Sequence, residues 1–423
     1  MLFRSWQSFG ELKGSENYQE RTQDEFNELL DATSPRRDFL KYLGFSTAAA
    51  AAAASCEMPV KKSIPYLNKP DTIIPGIANY YATTYTLDGD AVPVVAKVRD
   101  GRPIKIEGND LSSITNGGTS ARVQASVLGL YDTARLRFPL ANGKEVSTFD
   151  AFDKMVAEGM SGIAGKQVVL LTETISSPTT KNVIASFLAK YPGARHIQYD
   201  ALSASGLLNA NQASFGKRAI PSYQFDKAKT IVGLEADFLG TWMSSNLFQG
   251  DYASTRRPEG EWMSKHYQFE ATMSLTGSNA DVRIPIKPSQ EGAVVAALYN
   301  AIKGGSAEVA GVDSSRIARI AEELISNSGE SIVVAGSNNV DIQSIVCAIN
   351  NELKNYGSTL NADKPVNFYQ GDDAAMDRLV AEMNNGQVGA LVVYGVNPGY
   401  SYADAAGFKA AMGKVSRSEE HTS

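Results

Sequence analysis

The chain has 423 residues, 43% hydrophobic and 20% charged, with a formal net charge of −6. That length exceeds one ordinary core and calls for two or three domains, in a composition typical of folded globular proteins. The acidic balance argues against nucleic acid as a partner, because phosphate binding wants a basic surface.

Residues 1–56 read as a leader. Residues 1–33 are polar, with short amphipathic turns around Trp6–Gly14 and Asp24–Phe26 that are expected to be loose and to be removed with the signal. Ser34-Pro35-Arg36-Arg37-Asp38-Phe39-Leu40-Lys41, followed by the weakly apolar run Tyr42–Ala54, has the form of a twin-arginine export signal, with Arg36 and Arg37 as its arginine pair. The run is too short and Ala-rich to span a bilayer securely, and no later stretch approaches the ~20 apolar residues of a spanning helix. It ends in Ala53-Ala54-Ser55-Cys56, small residues before a cysteine, which makes Cys56 the expected lipidation site, with Ala53 where Leu is usual. A buried Ala-rich helix is the plainer alternative, but it gives no reason for the Pro-Arg-Arg start or the Ala-Ser-Cys end. Residues 57–78 form a linker in which Pro59, Pro65, Pro70 and Pro75 forbid regular helix.

A small β-rich module is expected over 79–140. Tyr80–Thr86 is aromatic and β-branched, Val92–Arg99 reads as its hairpin partner, and Asp100-Gly101 turns the chain into Pro103–Gly108. Ser120–Tyr131 reads as helix. Over 141–416 short apolar strands alternate with helices: Val168–Thr172, a helix over Thr179–Tyr191, Thr230–Leu234, Ser331–Gly336, Val366–Tyr369, Ala390–Gly395 and a helix over Ala403–Val415. Continuous apolar strands between helices predict an α/β fold with parallel sheets covered on both faces. Two interleaved subdomains are expected, 141–225 with 330–416, and 226–329. Residues 417–423 resemble a translated sequencing adapter and are expected to be non-native, the natural protein continuing beyond 416.

Few residues carry a chemical signal, and none is assigned as catalytic, cofactor-binding or metal-binding. His196, His266 and His421 sit in no ligand-spaced motif, so no zinc site is expected. The two cysteines, Cys56 and Cys347, are too few for an iron–sulfur cluster, and Cys347 lies at helical spacing among apolar residues, as a core cysteine does. No nucleophile elbow, Walker sequence or complete dinucleotide glycine fingerprint occurs. Val334–Asn339 places Gly336 between strand and helix, as in a nucleotide-binding turn, although most such turns only connect. The same two readings apply to Gly395-Val396-Asn397-Pro398-Gly399-Tyr400. Gly371-Asp372-Asp373 reads as a helix N-terminus rather than a catalytic dyad. Trp242, Phe248, Tyr252 and Trp262 suit either an interface or the core.

Val98–Asn109, Ser120–Ala125, Leu130–Leu136, Gly277–Pro288 and Gly395–Pro398 resemble segments of the molybdopterin oxidoreductases. The long leader, with Trp6 and Glu11–Gly14 ahead of a displaced arginine pair, is similar to one branch of them, the B subunit of bacterial alternative complex III. The resemblance implies Rossmann-like parallel-sheet domains of the DMSO reductase/formate dehydrogenase type behind a small β-rich module. Family members with a proximal cluster carry cysteines before the hairpin and in a Cys-x-Arg-Gly-Gln-Ala motif. Here residues 78–119 contain none, and Ser120 and Val123 stand in the motif. The branch therefore implies a cofactor-free scaffold without molybdopterin, with iron–sulfur clusters in a later, missing part. It implies a quinol-oxidising respiratory complex with membrane and multihaem cytochrome subunits, on the periplasmic side of the inner membrane. The alternatives are an active molybdenum bis-pyranopterin oxidoreductase of polysulfide/thiosulfate reductase type, contacting its cofactor through the turns at Gly336 and Asn397, and a periplasmic binding lipoprotein.

Overall fold

A computed structural model describes residues 71, 73–87, 90–163, 166–415 and the backbone of 417–421. Arg36, Arg37 and Cys56 lie outside the described residues.

The N-terminal module is a three-stranded antiparallel meander of β1 (Ala78–Leu87), β2 (Asp90–Arg99) and β3 (Arg102–Gly108). Its register pairs Leu87 with Asp90 and, across a two-residue loop, Arg99 with Arg102. Asp100 and Gly101 both have positive φ, +50° and +77°, the backbone that matches a tight hairpin to the right-handed strand twist. Alternation along β2 buries Val92 and Val94 with Ile106 of β3 and Val123. Val123 belongs to α1 (Ala121–Ala125), whose amide end is capped by Ser120 Oγ accepting from Val123 N at 3.3 Å. The helix expected over 120–131 tightens at Ser126 into a 3₁₀ segment, Ser126–Tyr131. There the Ser126 hydroxyl donates to Val123 O at 2.7 Å, competing with the helix ladder.

A minimal ribbon of β4 (Leu140–Ala141) and β5 (Lys144–Glu145) leads to α2 (Phe149–Ser161). Mixed α/β structure follows: β6 (Gln167–Thr172), α3 (Pro178–Ala189), β7 (Arg195–Gln198), α4 (Ser205–Phe215), β8 (Ile220–Tyr223) and β9 (Thr230–Leu234). Next come α5 (Ser245–Ser254), β10 (Lys265–Glu270), α6 (Leu275–Asn279), β11 (Val282–Pro285), α7 (Glu291–Ile302), α8 (Ser314–Ser326) and β12 (Ser331–Ala335). The chain continues through α9 (Val340–Glu352), β13 (Leu360–Val366), α10 (Asp373–Asn384), β14 (Val388–Tyr394), α11 (Pro398–Ser401), α12 (Ala405–Met412) and β15 (Arg417–His421).

Two parallel sheets organise this body. One has the order β11-β10-β9-β12, the other β15-β14-β6-β7. Every residue of β9 and of β12 is buried, the signature of strands covered on both faces. Val232, Leu234 and Phe269 pack on α7 and α8 through Val294, Leu298, Ile317 and Ile320. Ile231, Ile332 and Val334 face Phe225, Phe238 and Leu208 on the opposite side. The second sheet buries Val169, Leu171, Leu391 and Val393 against Met376, Leu379 and Phe408 of α10 and α12.

Pairing refines the expected layout in several places. Ser331–Ala335 lies beside Thr230–Leu234, so this strand joins the sheet of the 226–329 segment, across the boundary drawn at 330. The strand expected over Val366–Tyr369 is displaced to Leu360–Val366, antiparallel to β8. Asn367–Tyr369 form a loop instead: Tyr369 has φ +50° and inserts its ring into the core, 4% exposed, so apolarity there reflects burial rather than strand. Arg417–His421 runs parallel to β14 along its far edge. Phe248 and Tyr252 are core residues, 2% and 6% exposed, and not interface aromatics. Trp242 packs on Phe248 and Tyr223 with ring centroids 5.7 and 5.3 Å apart, while Trp262 lies partly open.

Phe225 and Phe238 are fully buried and stack at 4.4 Å. Phe238→Ala should cost about 3–5 kcal/mol through lost burial and the cavity left behind, read as a fall in the urea midpoint with unchanged m-value.

Candidate functional site

In open parallel sheets, ligands collect outside the carboxyl ends of the strands. In this chain those ends carry carboxylates. Glu235 follows β9, Asp237 lies two residues on, and Glu270 closes β10. Glu173 follows β6, Asp200 lies just beyond β7, and Asp373 opens α10.

Their hydrogen-bonding capacity is largely taken up inside the fold. Glu270, 1% exposed, accepts from Arg283 Nε at 2.5 Å and from Ser274 Oγ at 2.6 Å and N at 3.1 Å. Burial works to raise its pKa, but the Ser274 and Arg283 contacts outweigh that and hold it below the ordinary glutamate value. Asp237 accepts from Thr276 N and Oγ1 at 3.0 and 2.8 Å and from Thr241 N at 3.0 Å. Asp200 is 2% exposed and accepts from Thr174 N, Thr174 Oγ1 and Gly371 N at 2.9, 2.6 and 2.9 Å. Thr174 Oγ1 in turn accepts from Gln370 N at 2.6 Å, and Arg218 donates to the carbonyls of Gln370 and Gly371.

The turn after β12 is built the same way. Asn338 Oδ1 accepts from Gly206 N at 2.7 Å and its Nδ2 donates to Asp373 Oδ2, also at 2.7 Å. Ser203 Oγ reaches the same oxygen at 2.9 Å. Gln343 Nε2 donates to the carbonyls of Ala335 and Ser337, and Asn339 Oδ1 caps α9 by accepting from Asp341 N and Ile342 N. Gly336 is required by contact: a Cβ there would run into the carbonyl oxygen of Glu235, itself held at φ +51°. In the turn after β14, Gly395 has φ +71°, and the carbonyl of Asn397 accepts from Tyr400 N and Ser401 N. Asp372 Oδ1 caps α10 by accepting from Ala375 N at 3.0 Å, as read from the sequence.

Glu291, the first residue of α7, is a carboxyl pushed into the neutral range. Burial first, and then the Glu235 charge, raise its pKa to about 7 against a Ser337 hydrogen bond, and its Oε1 is buried without a partner. No sequence signal singled it out, because its environment comes from β9 and from the turn after β12.

The histidines lie apart from this edge chemistry. His266 is fully buried between Tyr252 OH, 3.2 Å from Nδ1, and Gln268 Oε1, 3.3 Å from Nε2; burial lowers its pKa to about 4. His196 Nε2 lies 2.8 Å from Thr172 Oγ1, and burial lowers its pKa as well. Cys347 is buried in α9 with Sγ 3.5 Å from Asn211 Oδ1, and burial pushes its thiol pKa up, away from nucleophilic use. Among the described residues no group of three or more His, Cys, Asp and Glu side chains could hold a metal.

These residues do not fit a dinucleotide cofactor. Pyrophosphate calls for free backbone N–H groups and cations, whereas the edges present carboxylates, and Gly336 is explained by its contact with Glu235. Ser120, where the resembling family carries a cysteine, uses its hydroxyl to cap α1.

No family model matches the chain. It is 22% identical over 283 residues to the menaquinone reductase, molybdopterin-binding-like subunit of Nitratidesulfovibrio vulgaris, a match covering 65% of this chain and 41% of the relative. The chain thus spans about two fifths of that relative's length. Among solved structures it matches the formyltransferase/hydrolase complex of Methylorubrum extorquens with methylofuran, at TM-score 0.41 and 14% identity over 59% of this chain and 73% of that one. That second likeness is too distant to bear on function.

Two outcomes test the edge chemistry. Asp200→Asn turns an amide group toward three donors and should cost about 2–3 kcal/mol of stability, measured by denaturant titration. A carboxyl whose folded pKa is raised stabilises the fold below its unfolded pKa and loses that contribution as pH rises through the folded value of about 7. The stability of Glu291→Gln relative to wild type should therefore rise by about 1 kcal/mol between pH 4 and pH 8, the partial exposure of Glu291 damping the effect.

Proposed function

We propose that the chain is part of a subunit of a membrane-bound, quinone-linked respiratory complex, acting there as a scaffold without its own redox centre. The reading rests first on similarity to a relative named as the molybdopterin-binding-like subunit of a menaquinone reductase. What carries it is Ser120, a hydroxyl in the family's cysteine position that is spent on helix capping, since a hydroxyl is a poor iron ligand. Carboxylate-rich strand ends, ill suited to the phosphates of a pyranopterin dinucleotide, point the same way.

A scaffold needs surfaces, and the chain offers them unevenly. Leu128, Leu130, Tyr131, Leu136, Phe138, Leu140 and Phe149 are 43–69% exposed within one short stretch. Such a concentration marks surface that another polypeptide covers. In its finer form the proposal follows the alternative complex III branch. Export would proceed through Arg36-Arg37, tethering through lipid at Cys56 on the periplasmic face, and docking onto quinol-oxidising and multihaem cytochrome subunits. Iron–sulfur relay would lie elsewhere in the assembly. The relative's name speaks of menaquinone reduction, so the direction of electron flow belongs to this finer part.

Two experiments test the reading. Metal analysis of protein purified from its native membrane should find no stoichiometric molybdenum; one molybdenum per chain would establish the active oxidoreductase instead. Arg36→Lys with Arg37→Lys should leave precursor in the cytoplasm, and Cys56→Ala should release the exported protein from washed membranes into the soluble fraction.

A further inference from the structure

Several outer strands among the described residues are protected against further pairing. β3 carries Arg102, Pro103, Lys105 and Glu107, and its pairing with β2 slips between Lys97 and Val98. β11 is four residues long and includes Arg283 and Pro285; β7 is four residues long with Arg195 and His196. Short length, charge, proline and irregular pairing are the usual means of stopping edge-to-edge association. β1 has none of them. Its ten residues, Ala-Asn-Tyr-Tyr-Ala-Thr-Thr-Tyr-Thr-Leu, include no charge, glycine or proline, and among the described residues only β2 pairs with it. Tyr80 and Tyr81 point to opposite faces and are 57% and 51% exposed.

The register defines what the open edge presents. Pro93, opposite Thr84, has no N–H and turns its carbonyl to Asn109 N on the β3 side, so Thr84 and Pro93 form a non-hydrogen-bonded pair. Leu87, Tyr85, Thr83, Tyr81 and Asn79 therefore bond toward β2, and Tyr80, Ala82, Thr84 and Thr86 turn their N–H and C=O outward. An uncharged edge of this length calls for another extended backbone.

We propose that β1 pairs with β1 of a second copy of this chain, antiparallel about a two-fold axis through Thr83. That axis sets Ala82 against Thr84 and Tyr80 against Thr86 of the second copy as hydrogen-bonded pairs, using only outward-facing groups. It also sets Tyr81 against Tyr85 of the second copy on one face, twice by symmetry, with Thr83 against Thr83. Aromatic and threonine cross-strand pairs are the favourable ones, and an isologous contact needs this self-complementarity. The four half-exposed Tyr80 and Tyr81 rings supply roughly 400 Å² of the interface. Ile74 and Ile77, 53% and 58% exposed beside the strand, carry it toward the ~1,000 Å² of a specific but weak contact.

Sedimentation velocity of the purified full chain over a concentration series tests this. Expected is a concentration-dependent dimer that Thr84→Pro weakens at least about tenfold, since it removes an outward N–H twice by symmetry. Circular dichroism should show the fold retained, because the ladder to β2 does not use that group. Tyr80→Lys, which leaves the backbone intact and places like charges along the joined edge, should weaken the dimer too. A chain that stays monomeric throughout, its edge covered by its own or another protein's segment, overturns the proposal. So does a dimer that both variants leave unchanged.

Discussion

The carboxyl ends of buried parallel strands must find partners for their backbone groups where the chain turns into the next helix, and that requirement shapes this molecule. A strand with no exposed residue, such as Ser331–Ala335, delivers its final amides and carbonyls into a region poor in water. Side chains supply the missing partners: Gln343 takes the carbonyls of Ala335 and Ser337, Asn338 takes the amide of Gly206, and Asp200 takes those of Thr174 and Gly371. Because Asn338 also reaches Asp373, and Asp200 also reaches the loop before α10, the strand ends of both sheets are tied by the same few polar residues. A buried group left unmatched costs about 1–3 kcal/mol, so these residues have little freedom to serve anything else.

That engagement decides how the edge should be read chemically. Clustered acids, glycine turns and helix N-termini at strand ends are the raw material of nucleotide sites in α/β proteins. Here each has a structural occupation: Asp372 and Asn339 cap helices, Glu270 holds Arg283, and Gly336 yields room to the Glu235 carbonyl. Glu291 departs from the pattern, its charge disfavoured by burial and by Glu235.

The parallel-sheet class, the hairpin at Asp100-Gly101 and the apolar strands at Val168, Thr230, Ser331 and Ala390 were legible in the sequence because each rests on local pattern: apolar runs of strand length, paired turn residues, helical spacing. The short or polar strands, such as Arg195–Gln198 and Lys265–Glu270, carry no such pattern and were not foreseen, and other features were missed for other reasons. The strand at Val366 was misplaced because Phe368 and Tyr369 are apolar for the sake of a buried loop, which hydrophobicity cannot tell from a strand. Phe248 and Tyr252 suited an interface as well as the core since their stretch lacks periodicity, and they fill the space beside Phe225 and Phe238. The joining of β12 to β9 is a long-range pairing that no local signal encodes. The site was less legible than the fold, because Asp200, Asn338 and Glu291 gain their roles only from neighbours 26 or more residues away in sequence.

Exposure sorts along the chain in a way that bears on assembly. The parallel sheets bury their apolar residues almost completely, while the stretch from Ile74 to Phe149 leaves Tyr80, Tyr81, Leu128, Leu136 and Phe149 more than half open. Mutation toward polar residues would remove that surface at no packing cost, since its side chains touch little. The 3₁₀ segment Ser126–Tyr131 buries none of its residues, so it leaves Leu128 and Leu130 open.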